Sequence, residues 1–457
     1  MDHVLESLID FVEQTDFGSL TAGAVDRVTR HTLDAVGCGA GGFGSRPARI
    51  AREVARGARD VLSASLYGES DPVPVGMAAF ANITANRYLD FNDFGVSGHP
   101  SDMIPALLAM AEAARASGAD AVTAIYLAYE IATRVAEAVP ADGGWDQGVY
   151  CSLGIAAGQA KILRLNRQEL ANALSLAVVP SLPLRVTRFG ELSEWKASAT
   201  AHAAMTATFA VRLARAGMTG PSQPFGGKDG LLERVWPAFD LDLTPTSPSA
   251  IERASLKRHP ACFWGQVPVD LVLEVRDAVP LGDVEAIEVA TCENAWRTIG
   301  GGRGDAAEKW RPPTRETADH SMPYLMAVAL VDGRLSEEAF APDRLRDPKL
   351  LDIIDRIRIL ERRDLTARAT RDTSPTELTV QVPGRDPITV AADVPRGHHD
   401  NPLSDDEVAD KFLSLANSAL SDAQAKELAE RLWDLPRLST LDDVARLFRA
   451  FTCCDAS

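Results

Sequence analysis

The sequence predicts a mainly α protein, with a large all-helical domain built from residues 1–264 and 401–457 and a smaller α+β domain at residues 265–400. Three observations support this prediction. Apolar residues recur at helical spacing up to about residue 240, alternate with period two in several runs after about residue 265, and return to helical spacing after Asn401. An inserted unit between helical segments predicts that the C-terminal helices rejoin the N-terminal ones.

In the helical part, Gly-, Pro- and Asp-rich clusters separate the periodic segments, for example at residues 38–47. This cluster contains Gly39-Ala-Gly-Gly-Phe-Gly44, which matches the dinucleotide fingerprint GxGxxG. The fingerprint requires a strand before it and a helix that starts on its glycines. A helix precedes this cluster and another begins near Ala48, so we predict a helix-ending loop without a nucleotide.

In the inserted unit, residues 284–291, 377–382 and 388–391 alternate with period two and predict strands. The last two runs flank the turn-prone Pro383-Gly-Arg-Asp386 and predict a hairpin. Helical spacing predicts helices at residues 318–331 and 348–357. We therefore expect a small, mostly antiparallel sheet with helices on one face.

The charge balance limits the possible partners. The chain has 47 Lys and Arg against 64 Asp and Glu, a formal charge of −17. Nucleic acid and anionic membrane surfaces are disfavoured, because either would need a large basic face. A small anionic substrate, bound by a local cationic loop, is compatible with the overall charge.

The sequence also predicts a cytoplasmic protein. Its N-terminus is acidic and lacks the features of a secretory signal. The most apolar stretch, residues 170–184, is interrupted by polar residues and prolines, well short of the roughly 20 apolar residues that span a bilayer. The six cysteines show no CxxC or metal-ligand spacing, which predicts reduced thiols and no metal site.

The segment Asp90-Phe-Asn-Asp93-Phe-Gly-Val-Ser-Gly-His99-Pro-Ser101-Asp102 precedes an apolar helix. The partial positive charge of a helix N-terminus would keep His99 neutral, as a general base requires, and Asp90 or Asp93 would fix its tautomer. The alternative interpretation is structural: Asp102 caps the helix and the other carboxylates bond the loop.

Two basic loops follow. Arg185, Arg188 and Lys196 precede a small-residue helix and would clamp a carboxylate, Arg through paired hydrogen bonds and Lys as a point charge. Surface charges flanking a helix are the alternative. The loop from Lys257 through His259 to Gln266 lies where the two units should meet, a favoured place for pockets, although a hydrogen-bonded structural histidine would explain His259 equally.

A further polar cluster, residues 316–324, opens an apolar helix and contains His320 and Tyr324. Such a helix N-terminus is suited to an anion. Capping by Thr317 or Asp319 is the alternative explanation for part of the cluster.

Taken together and in this order, these segments resemble the 2-methylcitrate dehydratase (MmgE/PrpD) family, which also includes cis-aconitate decarboxylases and an iminodisuccinate epimerase. The matching motifs extend over nearly the whole chain: DFND at 90–93 with GHPSD at 98–102, EWK at 194–196, AGMTGP at 216–221, PFGGKDGLL at 224–232, ETADHSMPY at 316–324 and NPLS at 401–404.

The resemblance implies a homodimer with a helical domain and a smaller α+β lid domain. It implies a hydro-lyase that acts on di- or tricarboxylates without a metal or organic cofactor. By the same resemblance, Asp90 and His99 match the active-site aspartate and histidine, Lys196 matches the lysine, and Tyr324 matches a tyrosine that lines the site.

Two positions depart from the pattern of the decarboxylase-like members. Phe94 occupies the place of a threonine four residues after the first aspartate, and Gln266 occupies the place of a histidine that commonly ends the third loop. Decarboxylation of cis-aconitate is therefore disfavoured. We predict elimination of water from a hydroxy acid, with epimerisation, decarboxylation of a related polycarboxylate and catalytically inactive carboxylate binding as alternatives.

In the predicted chemistry, His99 exchanges a proton with the substrate while Asp90 orients it, and Lys196 stabilises the substrate carboxylate. Tyr324 or His259 supplies the complementary acid. The substrate-binding candidates are Asp93, Ser101, Arg185, Arg188, Lys257, Gln266 and His320.

Overall fold

The computed structural model describes residues 2–139, 144–188 and 192–452. Among these residues, no helix has the length and apolar character needed to cross a membrane. Four cysteines are buried free thiols, Cys38, Cys151, Cys262 and Cys292, and Cys453 and Cys454 lie outside the described residues.

Helices dominate the structure, as predicted. In chain order they are α1 (His3–Gln14), α2 (Ala22–Gly42), α3 (Arg46–Ala55), α4 (Val75–Tyr88), α5 (Ile104–Ala113), α6 (Gly118–Ala138), α7 (Gly148–Ile162), α8 (Arg167–Val178), α9 (Ala199–Arg215), α10 (Leu231–Arg234), α11 (Gln266–Arg276), α12 (Glu293–Ile299), α13 (Ala306–Trp310), α14 (Arg315–Ala318), α15 (Met322–Asp332), α16 (Pro348–Ile354), α17 (Arg363–Arg368), α18 (Asp405–Ala416), α19 (Asp422–Trp433) and α20 (Asp442–Arg449).

Within the described residues, two small sheets accompany the helices. Strands β1 (Ser63–Ala64) and β2 (Val73–Pro74) form an antiparallel pair. The second sheet has the order β4-β3-β5-β6, with bounds β3 (Ala286–Thr291), β4 (Ile357–Glu361), β5 (Thr376–Gln381) and β6 (Ile388–Ala392). The predicted hairpin is confirmed, because β5 and β6 pair antiparallel across the turn at Pro383 to Asp386.

Apolar side chains form two separate cores. The first, which we call the helical region, draws on residues 4–256 and 403–451. The second, the small region, draws on residues 261–382. The C-terminal helices close the helical region because Phe412 of α18 packs against Gly37 of α2, where an added Cβ atom would lie 3.0 Å from the ring. Ser404 begins α18 with a reciprocal capping box to Glu407.

The small region departs from the sequence prediction in two ways. The helix predicted at 348–357 ends at Ile354, and the chain continues into β4, which pairs parallel with β3. The sheet is therefore mixed, and β4 was missed because its short apolar run adjoins the helix and does not alternate cleanly. The helix predicted at 318–331 starts later, as α15 at Met322, because the Ser321 hydroxyl caps it by accepting from the Tyr324 amide. His320, in the turn before this cap, lines the cavity described below.

The glycine cluster after Cys38 is a packing surface, and the predicted break there begins too early. Helix α2 continues through Gly39, Gly41 and Gly42 before it ends. A Cβ atom on Gly42 would lie 2.0 Å from the carbonyl oxygen of Ala85 in α4. Gly42 therefore lets α2 and α4 approach each other at backbone distance.

We expect Gly42→Ala to lower the free energy of unfolding by about 1–3 kcal/mol, because the new methyl group forces the two helices apart. The matched control is Gly44→Ala, two residues later, where an added Cβ atom meets nothing within 4 Å. Thermal unfolding of the two variants checks this prediction. Equal midpoints for both would contradict close packing at Gly42.

Candidate active site

A cavity of about 650 Å³ lies where the helical region meets the small region. This volume is typical of sites for small organic ligands. Its lining includes Asp90 and His99 from the helical region and His320 from the small region. Residues more than 200 positions apart in the chain therefore face one space.

Asp90 is placed by the end of α4, two residues after the helix stops. It adopts a left-handed backbone conformation with φ of 50° and is fully buried. Arg87, in the last turn of α4, forms an ion pair with the same carboxylate at 2.9 Å. Lys257 Nζ donates to the Asp90 side chain and, at 2.7 Å, to its backbone carbonyl oxygen. These contacts fix the carboxylate in both position and direction.

Lys411 joins the loops that carry Asp90 and Lys257. From α18, its ammonium group donates to the carbonyl oxygen of Phe91 at 2.8 Å and to that of Lys257 at 2.9 Å. It also pairs with Asp34 of α2 at 2.6 Å. The C-terminal helices thus help to hold the site.

Burial alone would raise the pKa of the Asp90 carboxyl, but Arg87, Lys257 and Lys196 reverse the effect. The result is a pKa well below the usual value, so Asp90 is ionised across the ordinary pH range.

His99 is held as a neutral imidazole. Its Nδ1 lies 2.6 Å from the backbone carbonyl oxygen of Asp93, which only accepts hydrogen bonds, so Nδ1 carries the proton and Nε2 has a free lone pair. Nε2 lies 3.8 Å from Asp90 Oδ1. Burial, then Arg87 and Lys257, hold the pKa of His99 well below its usual value. The sequence prediction ascribed this neutrality to a helix N-terminus, whereas burial and two cations cause it.

Lys196 links Asp90 to the small region. Its Nζ donates to both carboxylate oxygens of Asp319, at 2.7 and 2.8 Å, and lies 3.1 Å from Asp90 Oδ2. It does not itself line the cavity, but it contacts Asp90 and His320, which do. Asp90, Asp319 and His320 are spaced as metal ligands could be, and the lysine ammonium lies among them.

His320 is the second neutral imidazole of the cavity. Its Nδ1 lies 2.6 Å from Asp319 Oδ1, an arrangement that places the ring proton on Nδ1 and leaves the Nε2 lone pair free. Burial and Lys196 lower the pKa of His320 to about 4, against the opposing effect of Asp319. Both histidines therefore present an unprotonated Nε2.

Asp93 and Ser101 are buried beneath the cavity and support it. The Asp93 carboxylate accepts from the Tyr129 hydroxyl at 2.8 Å and from the Ser101 amide at 3.0 Å. The Ser101 hydroxyl accepts from Asn92 at 2.9 Å. Asp102 does not cap α5: it accepts from Asn92 and Gln147. Asp93, Ser101 and Asp102 shape the loop that carries His99 and do not line the cavity.

Both predicted arginines line the cavity. Arg188 is oriented by the Asp146 carboxylate, with Nε at 2.7 Å and Nη2 at 3.2 Å, and it donates to the Lys196 carbonyl oxygen at 2.9 Å. Arg188 therefore makes the paired hydrogen bonds that were predicted for a substrate carboxylate, but it makes them to the carboxylate of Asp146.

Besides Lys196, Lys257, Asp93 and Ser101, three more predicted site residues do not line the cavity. The Tyr324 hydroxyl donates to the Ala339 carbonyl oxygen within the small region's core, and burial raises its pKa above the usual value. His259 Nε2 lies 2.9 Å from Asp270. The Gln266 amide bonds the backbone of its own loop, at His259 and Ala261. None of these three side chains lines the cavity.

Sequence reasoning missed several residues of the site. Arg87 and Lys411 sit in ordinary helical patterns, and Asp319 was considered only as a cap. The small region contributes further cavity-lining residues that no motif indicated.

Phe94 stacks on Phe263 with ring centroids 4.0 Å apart and an interplanar angle of 7°, and forms one wall of the cavity.

Comparison with known proteins gives consistent matches along the chain. It is 29% identical over 400 residues to a 2-methylcitrate dehydratase of Cupriavidus necator, covering 80% of this chain and 78% of the relative. It is 27% identical over 404 residues to a 2-methylcitrate dehydratase of Escherichia coli strain K12, covering 80% and 79%. It is 24% identical over 466 residues to a cis-aconitate decarboxylase of Mus musculus, covering 96% and 92%.

The domain matches divide the chain near the boundary between the two cores. The MmgE/PrpD N-terminal domain matches residues 6–244, and the MmgE/PrpD C-terminal domain matches residues 259–435. With both domains matched in order over most of its length, the chain belongs to the MmgE/PrpD family.

Proposed function

We propose that this protein is a lyase of the 2-methylcitrate dehydratase type. It removes a proton next to a carboxylate and eliminates water from a di- or tricarboxylic hydroxy acid, without a metal or organic cofactor. The observation that carries the proposal is the neutral His99, whose free Nε2 lies beside the ionised Asp90 in a cavity lined by arginines. The 2-methylcitrate dehydratases among its relatives support the reaction class.

In the proposed reaction, His99 Nε2 takes the proton from the carbon next to a substrate carboxylate. The electron pair moves onto that carboxylate, which becomes a dianionic, enolate-like group. It then returns to form the carbon–carbon double bond as the bond from the neighbouring carbon to the hydroxyl oxygen breaks. The proton held by His99 leaves with the hydroxyl group as water, so the reaction balances with one imidazole as both base and acid.

The positive charges of the site stabilise the dianionic intermediate. Arg87 and Arg188 line the cavity, and Lys257 and Lys196 contact Asp90 from behind it. Because Arg87, Lys257 and Lys196 are buried, these fixed charges act more strongly than they would in water. Lys196 is therefore proposed as a positioning residue, which keeps Asp90 and Asp319 ionised and His320 neutral.

Proton NMR in deuterated buffer tests the reaction class, with 2-methylcitrate, citrate, cis-aconitate and small hydroxydicarboxylates supplied one at a time. We expect alkene signals to appear from a hydroxy acid, or to disappear on hydration, in the presence of EDTA. Deuterium uptake without alkene would replace the proposal with an epimerase, and carbon loss would replace it with a decarboxylase. No change with any compound would contradict this substrate class.

We expect His99→Asn to lower turnover by roughly 10²-fold or more, because the variant keeps the shape of the side chain and loses the base. His3→Asn, an exposed histidine on α1, is the matched control and should leave the rate unchanged. The rates are measured by the NMR assay, and circular dichroism verifies the fold. Full turnover by His99→Asn would remove His99 from the reaction.

The acid side of the pH profile of kcat/KM should lie below 6.5, since burial, Arg87 and Lys257 lower the pKa of His99 and keep the base neutral at lower pH. Lys257→Met removes one of these cations and should move this acid limb to higher pH. Lys257→Arg keeps the charge and is the control for folding. If the acid limb of kcat/KM lay at the same pH in Lys257→Met and Lys257→Arg, this result would contradict His99 as the titrating base.

We expect Lys196→Met to lower kcat by roughly 10²-fold and to raise the pKa of His320 from about 4, because the ammonium that disfavours the imidazolium is lost. Lys426→Met, exposed on α19, is the control. Titration of the histidine ring protons by NMR measures the shift. An unchanged His320 titration would show that Lys196 does not set the charge state of this imidazole.

A further inference from the structure

A second group of potential metal ligands lies outside the cavity. Asp372, His398 and His399 each place one ligand atom, a carboxylate oxygen or a ring nitrogen, within 4.8 Å of those of the other two. None of the three is among the described residues that line the cavity. The proposed reaction therefore makes no use of this group, which we call the His398 cluster.

The two histidines are held together by the turn that carries them. Their rings lie against each other, with centroids 4.0 Å apart and an interplanar angle of 36°, and His398 is only 1% exposed. Gly397, just before them, has φ of 98°, and a Cβ atom there would lie 2.1 Å from the carbonyl oxygen of Leu256. Because only glycine fits this position, the fold itself buries the histidine pair.

The ring nitrogens of the pair face two different surroundings. Asp400 Oδ2 lies 3.7 Å from Nδ1 of His398 and 3.7 Å from Nε2 of His399. The opposite nitrogens, His398 Nε2 and His399 Nδ1, are buried and make no hydrogen bond of ordinary geometry to any described residue. Metal-bound histidines show this pattern, in which one nitrogen binds the ion and a carboxylate orients the other.

One proton must move before His398 can bind an ion. Without an ion, the Asp400 amide donates to His398 Nδ1 at 3.2 Å, so the ring proton is on Nε2, where it lacks a good acceptor. When an ion binds Nε2, the proton is transferred through solvent to Nδ1, and the Asp400 carboxylate is the acceptor near it. Binding thus removes a buried donor that is poorly satisfied.

Asp372 supplies the oxygen ligand and the access to solvent. The Thr370 hydroxyl donates to its Oδ1 at 2.6 Å and orients the carboxylate. Asp372 is half-buried and the side chain of His399 is 20% exposed, so an ion can enter from one side. Two imidazoles and one carboxylate suit a divalent transition metal ion, and water completes its coordination.

We propose that Asp372, His398 and His399 bind a divalent transition metal ion, with Zn²⁺ as the ion to test. The bound ion fastens the loop before β5 to the turn before α18, where the chain returns from the small region to the helical region. The site is structural and stands apart from the proposed reaction. It was not predicted from the sequence, because Asp372 is distant from the histidines and forms no ligand motif with them.

Isothermal titration calorimetry with Zn²⁺ tests the site, on full-length protein freed of metal with EDTA and then freed of EDTA. We expect one Zn²⁺ per chain and a higher midpoint of thermal unfolding, because the ion binds the folded state. Asp372→Asn and His399→Asn should each raise the Kd by roughly 100-fold or more, and Asp400→Asn, which removes only the supporting carboxylate, by roughly tenfold. His202→Asn, exposed on α9, is the matched control and should leave the Kd unchanged.

Two results would overturn the site: no binding to the wild type, and an unchanged Kd in both Asp372→Asn and His399→Asn. Asp90, Asp319 and His320 offer a competing group, although the Lys196 ammonium lies among them. His320→Asn separates the two groups and should keep the wild-type Kd. Loss of binding in His320→Asn with binding retained in His399→Asn would place the ion in the cavity and contradict the proposal. Circular dichroism of the metal-free variants verifies that a raised Kd does not result from unfolding.

Discussion

The organisation of the site depends on one buried negative charge. A carboxylate in a protein interior is tolerated only when cations compensate for its lost hydration. Asp90 is compensated by Arg87 from α4, Lys257 from the loop between the two cores, and Lys196 from the turn before α9. Because these partners come from three separate parts of the chain, the charge can be buried only when the segments are assembled together.

Burial, and then the same cations that stabilise Asp90, keep the two histidines neutral. Arg87 and Lys257 disfavour a charged His99, and Lys196 disfavours a charged His320. A carboxylate and neutral imidazoles therefore coexist in one cavity, even below pH 6.5, where an imidazole in water is mostly protonated. Structural charge compensation and the proposed base chemistry are thus consequences of one arrangement.

The sequence was sufficient to predict the division into helical and α+β parts and the segments that carry Asp90, His99, Lys196 and His320. These segments are polar loops between apolar helices, so they can be recognised from the sequence alone. Arg87 and Lys411 were missed because each lies within a helical segment, where a cation is usually exposed. Lys411 is held by Asp34 and by two backbone carbonyl groups from distant parts of the chain, which leave no local signal. Arg87 pairs with Asp90 only three residues away, but the sequence does not show that this pair is buried.

Some residues at family motif positions lie outside the cavity, so a match to the family pattern does not by itself place a residue in contact with the substrate. Gln266 satisfies four backbone groups of its own loop, two as donor and two as acceptor, and thereby fixes the turn that presents Phe263 and Trp264 to the cavity. Phe263 in turn stacks on Phe94. The two departures from the decarboxylase-like pattern are therefore physically connected, since one orders the loop whose aromatic ring the other packs against. The stacked rings form an apolar wall of the cavity, and Phe94 also meets the His99 ring edge-on, with ring centroids 5.9 Å apart. An apolar surface beside the imidazole favours its neutral form, which the proposed base requires.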